Sequence, residues 1–209
     1  RGKMKTKTID GHTFCPEFLT ADGWVIDAGS RGFNFSYDCI WNTPSHVYAL
    51  DIEDFSKDEI NNEPLFIFKH AALTAKGGEV EAHYFGNGTG NFIKGLNGIP
   101  GNTEDRPCET RKVKAVTLSE VYQEIGFGTE IDLLKMDIES SEYEIMLTME
   151  PIPKQISVEF HEHTTPDLHN KFIEQILEHL CKWYHVNLYI REWPRYKFQD
   201  CLFIRKDLL

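Results

Sequence analysis

The sequence predicts an α/β fold, in which a mostly parallel sheet is covered by helices on both faces. Two observations support this prediction. Apolar runs typical of strands alternate with helical stretches along most of the chain, separated by Gly, Pro and Asn. The last two apolar runs, VNLYIREW and CLFIRK, are joined by about seven residues, which indicates an antiparallel hairpin at the sheet edge.

The chain is expected to form one soluble domain over residues 1–209. Its hydrophobic content of 41% and charged content of 26% are close to the globular average. No apolar run reaches the ~20 residues that cross a bilayer, so we expect no membrane partner. Residues 1–23, which begin RGKMKTK, are interpreted as an N-terminal extension or tag residues.

Charge and cysteine usage narrow the partners and the compartment. The net charge of −11 disfavours nucleic acid as a partner, because nucleic-acid-binding surfaces carry clustered Lys and Arg. The five cysteines are widely spaced and include no CxxC pair, which fits a reducing cytoplasm best. The sequence leaves the oligomeric state open.

The first half of the chain alternates between strand and helix signals. The predicted order of strand, helix, strand, helix and strand corresponds to WVIDAG, FSYDCIW, HVYALD, DFSKDEIN and PLFIFKHAAL. Asp54 is the expected N-cap of the second helix. GEVEAHYF then alternates as an added edge strand does. The Gly-, Asn- and Pro-rich stretch 86–112 is too long for a plain connection, and it is either a flexible surface loop or a substrate lid.

The second half repeats the same alternation before the closing hairpin. Its strands and helices correspond in order to VKAVTLSEVYQEIGF (strand, then helix), EIDLLKMD (strand), SSEYEIMLTM (helix with serine caps) and KQISVEFHEH (strand). Thr165 and Pro166 begin the longest helix, since proline is favoured at the first helical position. The repeat of Ile173, Ile176, Leu177 and Leu180 at helical spacing indicates a core face.

Ligands of open parallel sheets bind beyond the carboxyl ends of the strands, so the residues that end each strand are the candidates. The first strand ends in Asp27, Gly29 and Ser30, and Gly29 permits a tight turn. Asp27 either accepts hydrogen bonds from a ligand or braces the loop, and the turn as a whole is either structural or ligand-binding.

The second strand ends in Asp51, about 24 residues after Asp27, an offset at which a carboxylate reaches a ribose diol. The alternative is an N-cap or a solvated loop carboxylate. Dinucleotide and S-adenosylmethionine sites share this arrangement. However, Arg31 and Asn34 occupy the second and third glycine places of the G-x-G-x-x-G fingerprint, which argues against NAD or FAD.

Carboxylates are concentrated after the fourth strand, where Asp137, Glu139 and Glu142 occur. Such groups can balance a positive charge on a ligand, hold a metal or act as a base. Helix capping explains Glu142 and Glu144, but it leaves Asp137 and Glu139 open.

The fifth strand places Glu159, His161 and His163 on one face near its carboxyl end. Three such residues span about 13 Å, which is too far for one metal ion without ligands from elsewhere. His161 is therefore a candidate general base, a candidate metal ligand or a structural histidine.

Several of these segments together resemble FkbM-type S-adenosylmethionine-dependent methyltransferases. The resemblance extends from Trp24 to His163, and the segments that carry it are VIDAGSRGFNFS, VYALD, KHAALTAKGGEVEAHYF, VTLSEVYQEIGFGTEIDLLKMDIESSEYEIM and ISVEFHEH. Its most specific part, IDLLKMDIESSEYE, is similar to the family block I-D-L-L-K-I-D-V-E-G-x-E. The chain departs from the family pattern at Arg31 and Phe33 in the first loop and at Ser140 in the acidic block.

The resemblance implies a Rossmann-like class I methyltransferase fold: a seven-stranded, mostly parallel sheet with an antiparallel last strand. It implies S-adenosyl-L-methionine as the cofactor and methyl transfer to a hydroxyl of a sugar-like or secondary-metabolite acceptor. Asp51 matches the residue that takes the ribose hydroxyls, and Glu159 with His161 matches the Glu-x-His ending. The predicted cofactor-binding residues are Asp27, Gly29, Ser30, Asp51, Ile52 and Ala71.

For catalysis we predict His161 as the base, with Glu139 or Asp137 as the orienting group or alternative base. We assign no metal ligand, and we expect a small-molecule or saccharide acceptor as the partner. Two hypotheses compete with the methyltransferase function. One is a scaffold domain that has lost the cofactor through Arg31 and Phe33, and the other is a nicotinamide oxidoreductase.

Overall fold

A computed structural model describes residues 4–85, 92–93, 108–126, 128–139, 141–150, 152–161, 166–193 and 196–209. The strands in chain order are β1 (Lys7–Ile9), β2 (His12–Phe14), β3 (Trp24–Ala28), β4 (His46–Asp51), β5 (Phe66–His70), β6 (Ala72–Leu73), β7 (Gly78–Phe85), β8 (Phe92–Ile93), β9 (Cys108–Val116), β10 (Ile131–Met136), β11 (Gln155–His161), β12 (Tyr184–Trp193) and β13 (Tyr196–Arg205). The helices are α1 (Asn34–Asn42), α2 (Leu118–Ile125), α3 (Glu142–Thr148) and α4 (Pro166–Leu180).

The α/β prediction is confirmed, because the chain forms a large mixed sheet with helices. Within the described residues this sheet has seven strands in the order β12-β13-β11-β10-β3-β4-β5. The pairs from β11 through β10, β3 and β4 to β5 are parallel, whereas β13 is antiparallel to both of its neighbours. The carboxyl ends of β3, β4, β10 and β11 therefore meet at one edge of the sheet.

The C-terminal hairpin is present, but the expected seven-residue connection is wrong. The ladder between β12 and β13 continues until Trp193 pairs with Tyr196, so only residues 194–195 separate the strands. The apolar runs in the sequence mark only part of each strand, since backbone pairing does not require an apolar side chain.

Two hydrophobic cores cover the two faces of the sheet. Val25 belongs to the core that contains Phe35 and Cys39 of α1. Ile26, the next residue of β3, belongs to the opposite core with residues of α2, α3 and α4. This alternation follows from the period of two along a strand. In α4 the predicted core face is confirmed, since Ile173, Ile176 and Leu180 are buried and Leu177 is partly buried.

The predicted helix over DFSKDEIN is wrong. The segment forms turns and then a short 3-10 helix, Glu59–Asn62. Asp54 Oδ1 accepts a hydrogen bond from the backbone of Ser56, and Asp58 Oδ1 accepts one from the backbone of Ile60. The bond of Asp54 forms a local turn that competes with helix formation, whereas Asp58 is the N-cap of the short 3-10 helix.

Helix α2 begins with a capping box, whereas the serine cap expected for α3 is not observed. Thr117 Oγ1 accepts from the backbone of Glu120, and the Glu120 carboxylate accepts from the backbone of Thr117. Ser141 precedes α3 but makes no side-chain capping bond, and Ser140 lies outside the described residues.

PLFIFKHAAL splits at Ala71 into β5 and β6, which belong to different sheets. GEVEAHYF forms β7, but it does not extend the large sheet. It lies inside a second sheet of order β6-β9-β7-β8 in the described part of the chain.

Because β9 begins at Cys108, residues 108–112 of the expected loop form a strand. Residues 86–91 and 94–107 lie outside the described residues, so the lid stays a prediction.

The predicted N-terminal extension packs on the large sheet. Strands β1 and β2 form a hairpin, and the Gln155 side chain exchanges two hydrogen bonds with the backbone of Cys15, at 2.8 and 3.0 Å. His12, Phe14 and Cys15 are buried.

Among the helices of the described residues, none is both long and apolar enough to cross a bilayer.

Candidate active site

A cleft of about 680 Å³, open to solvent, lies at the carboxyl ends of the central strands. It brings together residues that are far apart in the sequence, and the predicted ones among its lining residues are Gly29, Asp51, Ile52, Ala71, Asp137 and Glu139. Three further predicted residues, Asp27, Ser30 and His161, do not line the cleft.

Gly29 forms the turn after β3, where no other residue fits. Its φ is +77°, and a Cβ atom there would lie 1.8 Å from the carbonyl oxygen of Asp137. Its N–H donates to Leu50 O at 2.9 Å, and its carbonyl accepts from Lys135 Nζ at 2.7 Å. The loops after β3 and β10 are therefore in direct contact at the floor of the cleft.

Asp27 and Ser30 brace this turn from below. Asp27 is fully buried, and its carboxylate accepts from Ser36 Oγ at 2.6 Å and pairs with Lys135 Nζ at 3.0 Å. The backbone N–H and the hydroxyl of Ser30 both donate to Leu50 O. Of the two roles that the sequence left open for Asp27, the geometry favours bracing.

Lys135 was missed in the sequence, although a lone lysine inside the apolar run LLKM was a usable signal. Burial by itself lowers the pKa of Lys135, but the charges of Asp27 and Asp137 and the hydrogen bond to Asp27 raise it above its usual value. The lysine is therefore charged and links the loop after β3 to β10.

Arg31 and Phe33, the two unexpected residues of the loop after β3, lie in different places. Phe33 adopts a left-handed conformation with φ 57°, and its ring packs in the core, 5.3 Å from each of the rings of Phe55, Phe66 and Phe68. Arg31 lies at the surface and lines the cleft. Phe33 therefore takes no space from a ligand, whereas Arg31 can contact one.

Asp51 ends β4 as a nearly buried carboxylate, only 8% exposed. Its Oδ1 accepts a hydrogen bond from the backbone of Glu53 at 2.8 Å. Burial raises the pKa of Asp51 to about 6, and the hydrogen bond from Glu53 only partly offsets this effect. The neighbouring carbonyl of Ile52 accepts from the hydroxyl of Tyr84 at 2.5 Å, which ties this wall of the cleft to β7.

His161 ends β11 at the centre of a cluster of carboxylates. Its Nε2 lies 3.1 Å from Glu159 Oε1, 3.5 Å from Asp137 Oδ1 and 3.6 Å from Glu139 Oε1. Its Nδ1 lies 3.6 Å from Glu142 Oε1. The structure thus brings together all three predicted catalytic residues.

The surroundings of His161 favour its protonated form. Burial alone lowers the pKa of His161, but the nearby carboxylates of Glu142, Glu159, Glu139 and Asp137 raise it well above its usual value. The base role predicted for His161 requires this proton to leave first. Tyr143 fixes the end of the strand, because its hydroxyl donates to the carbonyl of His161 at 2.8 Å.

Asp137 is held between two histidines. Its Oδ1 faces His161, and its Oδ2 lies 3.8 Å from Nε2 of His12, a buried residue of β2. Burial would raise the pKa of Asp137, but contact with His12 and the charges of Lys135 and His161 hold it well below its usual range. His12 was missed because nothing in the local sequence indicates that β2 packs beside the loop after β10.

Glu142 has a larger role than the helix capping that the sequence suggested. It is fully buried, and its Oε1 accepts from the backbone of Ile138 at 2.8 Å while facing His161. The intervening Glu139 has φ 50°, a left-handed conformation that is costly for a residue other than glycine. The loop after β10 is therefore held in a specific shape.

The same cluster contains a set of groups that could hold a metal ion. One donor atom each of Asp137, Glu139 and His161 lies within 4.8 Å of the other two. His163, which the sequence placed on the same strand face, lies outside the described residues.

Comparison with known proteins gives one family match. The family model described as Methyltransferase FkbM domain matches residues 28–185. No curated protein sequence matches the chain.

The solved structures that resemble the chain include two with weak likeness. A candidate hemolysin from Lactococcus lactis is 12% identical with a TM-score of 0.46, over 90% of this chain and 81% of that one. A candidate RNA methyltransferase from Pyrococcus horikoshii is 13% identical with a TM-score of 0.44, over 87% and 74% of the two chains. At these TM-scores neither likeness adds an argument.

Proposed function

The chain belongs to the FkbM methyltransferase family, and from that premise we propose that it transfers the methyl group of S-adenosyl-L-methionine to a hydroxyl oxygen of a small-molecule or saccharide acceptor. We further assign the domain to the class I methyltransferase fold. The strand order, with β13 as the reversed strand beside β11, supports this assignment.

One observation carries the proposal. The cleft joins the nearly buried carboxylate of Asp51 and the tight turn at Gly29 to the acidic pair Asp137 and Glu139. This donor set fits the cofactor, since a carboxylate suits a ribose diol and carboxylates balance a sulfonium charge. Ile52 and Ala71 add apolar surface beside Asp51. When bound, S-adenosylmethionine supplies a methyl carbon that is activated by its positively charged sulfur.

The residues of this chain position the acceptor and remove its proton. Methyl transfer is an in-line displacement: the acceptor oxygen forms the new bond to carbon, and the sulfur keeps the electron pair of the bond that breaks. The hydroxyl proton passes to a group at the ends of β10 and β11. His161, Glu139 and Asp137 are the proposed groups for this step.

Calorimetric titration with S-adenosylhomocysteine tests the proposal. We expect one site per chain in the wild type and affinity about tenfold or more lower in Asp51→Asn, because ionised Asp51 accepts charge-assisted hydrogen bonds. Asp22→Asn is the matched control, since Asp22 is exposed and precedes β3 at its other end. Its affinity should equal that of the wild type.

The same titration distinguishes the competing functions. Absence of heat and of a thermal shift with both S-adenosylmethionine and S-adenosylhomocysteine would contradict the proposal and favour a scaffold domain. Binding of NADH in place of these compounds would instead favour an oxidoreductase.

A further inference from the structure

We propose that Asp137, Glu139 and His161 form a divalent-cation site, and that the bound ion takes up the acceptor hydroxyl oxygen at the floor of the cleft. This inference rests on the proposed methyl transfer and specifies how the acceptor is held. The acidic cluster would then bind a divalent cation, and the rest of the cleft would bind the cofactor.

The geometry of the three donors fits one ion. His161 Nε2 lies 3.5 Å from Asp137 Oδ1 and 3.6 Å from Glu139 Oε1, and the ion would displace the proton that this nitrogen holds toward Glu159 Oε1, 3.1 Å away. Donors that bind one ion at about 2.1 Å lie roughly 3.0 to 4.2 Å from one another, depending on the angle between them. Since the three donor atoms lie within 4.8 Å of one another, a shift of less than about 1 Å completes the site.

His12 is a second, independent observation that points to this site. Its ring is only 2% exposed, and within the described residues its Nε2 has no hydrogen-bond partner. That nitrogen is aimed at Asp137 Oδ2, 3.8 Å away, while Oδ1 faces His161. Metal-binding carboxylates are commonly held in this way by a partner on their outer oxygen.

The donor types of the cluster also suit a divalent cation. The carboxylates of Asp137, Glu139, Glu142 and Glu159 all approach His161 within 3.6 Å. The buried Lys135 is engaged with Asp27 and with the carbonyl of Gly29. Carboxylates are the ligands of hard divalent ions, and one imidazole among them also suits Mn²⁺.

The open side of the site explains its role. Asp137 and Glu139 line the cleft, whereas His161 lies behind them and is nearly buried. A six-coordinate ion held by three protein atoms keeps three positions for water and for acceptor oxygens. Since the ion occupies the donor atoms of His161, Glu139 and Asp137, it replaces them as the group that activates the hydroxyl: the bound hydroxyl loses its proton to solvent more readily, and its oxygen then attacks the methyl carbon as the carbon–sulfur bond breaks.

Titration of EDTA-treated protein with Mn²⁺ tests the site, with calorimetry and the electron paramagnetic resonance signal of free Mn²⁺ as readouts. We expect one Mn²⁺ per chain, with affinity on the order of 100-fold lower in Glu139→Gln and Asp137→Asn. His12→Gln should weaken binding about 10-fold or more through Asp137. Glu53→Gln, a carboxylate on the opposite wall of the cleft, should bind Mn²⁺ as the wild type does.

Two results would overturn the proposal: no Mn²⁺ binding to the wild type, or unchanged binding in both carboxylate variants. Thermal unfolding in EDTA shows whether each variant is folded. If Asp137→Asn does not fold, Glu139→Gln decides, because its side chain is partly exposed.

A parallel titration with S-adenosylhomocysteine in EDTA separates this failure from failure of the proposed function. Binding of S-adenosylhomocysteine without any binding of Mn²⁺ would overturn only the cation site. Binding of Mn²⁺ without S-adenosylhomocysteine would overturn the proposed methyl transfer and the acceptor role of the ion.

Discussion

At the scale of single residues, the protonation state of Asp51 that stabilises the folded protein differs from the one that its proposed function needs. Its carboxylate is nearly buried at the end of β4, and burial raises its pKa to about 6 from the ordinary value of 3.8. The folded protein therefore favours neutral Asp51, whereas the proposed ribose contact needs the ionised form. The stabilising effect of neutral Asp51 is complete below about pH 4 and is lost as the pH rises through about 6.

Asp51→Asn should therefore stabilise the folded protein at pH 8 while weakening cofactor binding. The gain in the free energy of unfolding is at most about 3 kcal/mol, the equivalent of two pKa units, and it shrinks as the pH is lowered toward 4. Urea denaturation of wild type and variant across this range measures it. A loss of stability at pH 8 would contradict the account of Asp51, and Asp22→Asn controls for the change in net charge.

The catalytic candidates show what single residues of a sequence reveal. Asp137, Glu139 and His161 were predicted because each follows or ends an apolar strand, and the structure brings the three together. The roles of His12, Glu142 and Lys135 could not be predicted from the sequence in the same way. Their roles depend on neighbours that the fold supplies, such as the Lys135 contact with Asp27, which is 108 positions earlier in the sequence.

At the scale of elements, the turn between β3 and α1 connects the cofactor wall to the acidic cluster. Gly29→Ala places a methyl group against the carbonyl of Asp137, whereas Gly32→Ala meets open space at a similar positive φ. Both changes carry the cost of a left-handed residue, about 1 to 2 kcal/mol. We expect Gly29→Ala to cost at least about 2 kcal/mol more, because the loop after β10 must move.

Chemical denaturation of the two glycine variants measures this difference. Gly29→Ala should also weaken S-adenosylhomocysteine binding, because Gly29 and Asp137 both line the cleft. Equal stabilities for the two variants would show that a methyl group at position 29 does not clash with the loop after β10.

Elements differ in how far the sequence specifies them. Strands β3, β4, β10 and β11 were predicted because each contains an apolar run, and in the structure their residues are almost all buried. The hairpin of β1 and β2 was missed because its strands are short, whereas β7 was predicted as a strand but was expected as an edge strand and not inside a second sheet. Such strands are stabilised by what they pack against, and local patterns do not show this.

At the scale of the whole molecule, the strand order determines what the cleft contains. The chain leaves β3 for β4 on one side and later returns to place β10 on the other, so the ends of β3, β4 and β10 adjoin. Ligands of open α/β sheets bind at such a reversal of strand order. The cofactor wall and the acidic cluster are therefore neighbours, although Asp51 and Asp137 are 86 residues apart.

The central claim is that this cleft binds S-adenosylmethionine for methyl transfer, and a crystal structure with S-adenosylhomocysteine tests it most directly. We predict that the ribose hydroxyls contact the carboxylate of Asp51 and that the sulfur faces Asp137 and Glu139. A crystal in which the compound is absent from the cleft at saturating concentration, or lies away from Asp51, would contradict the account.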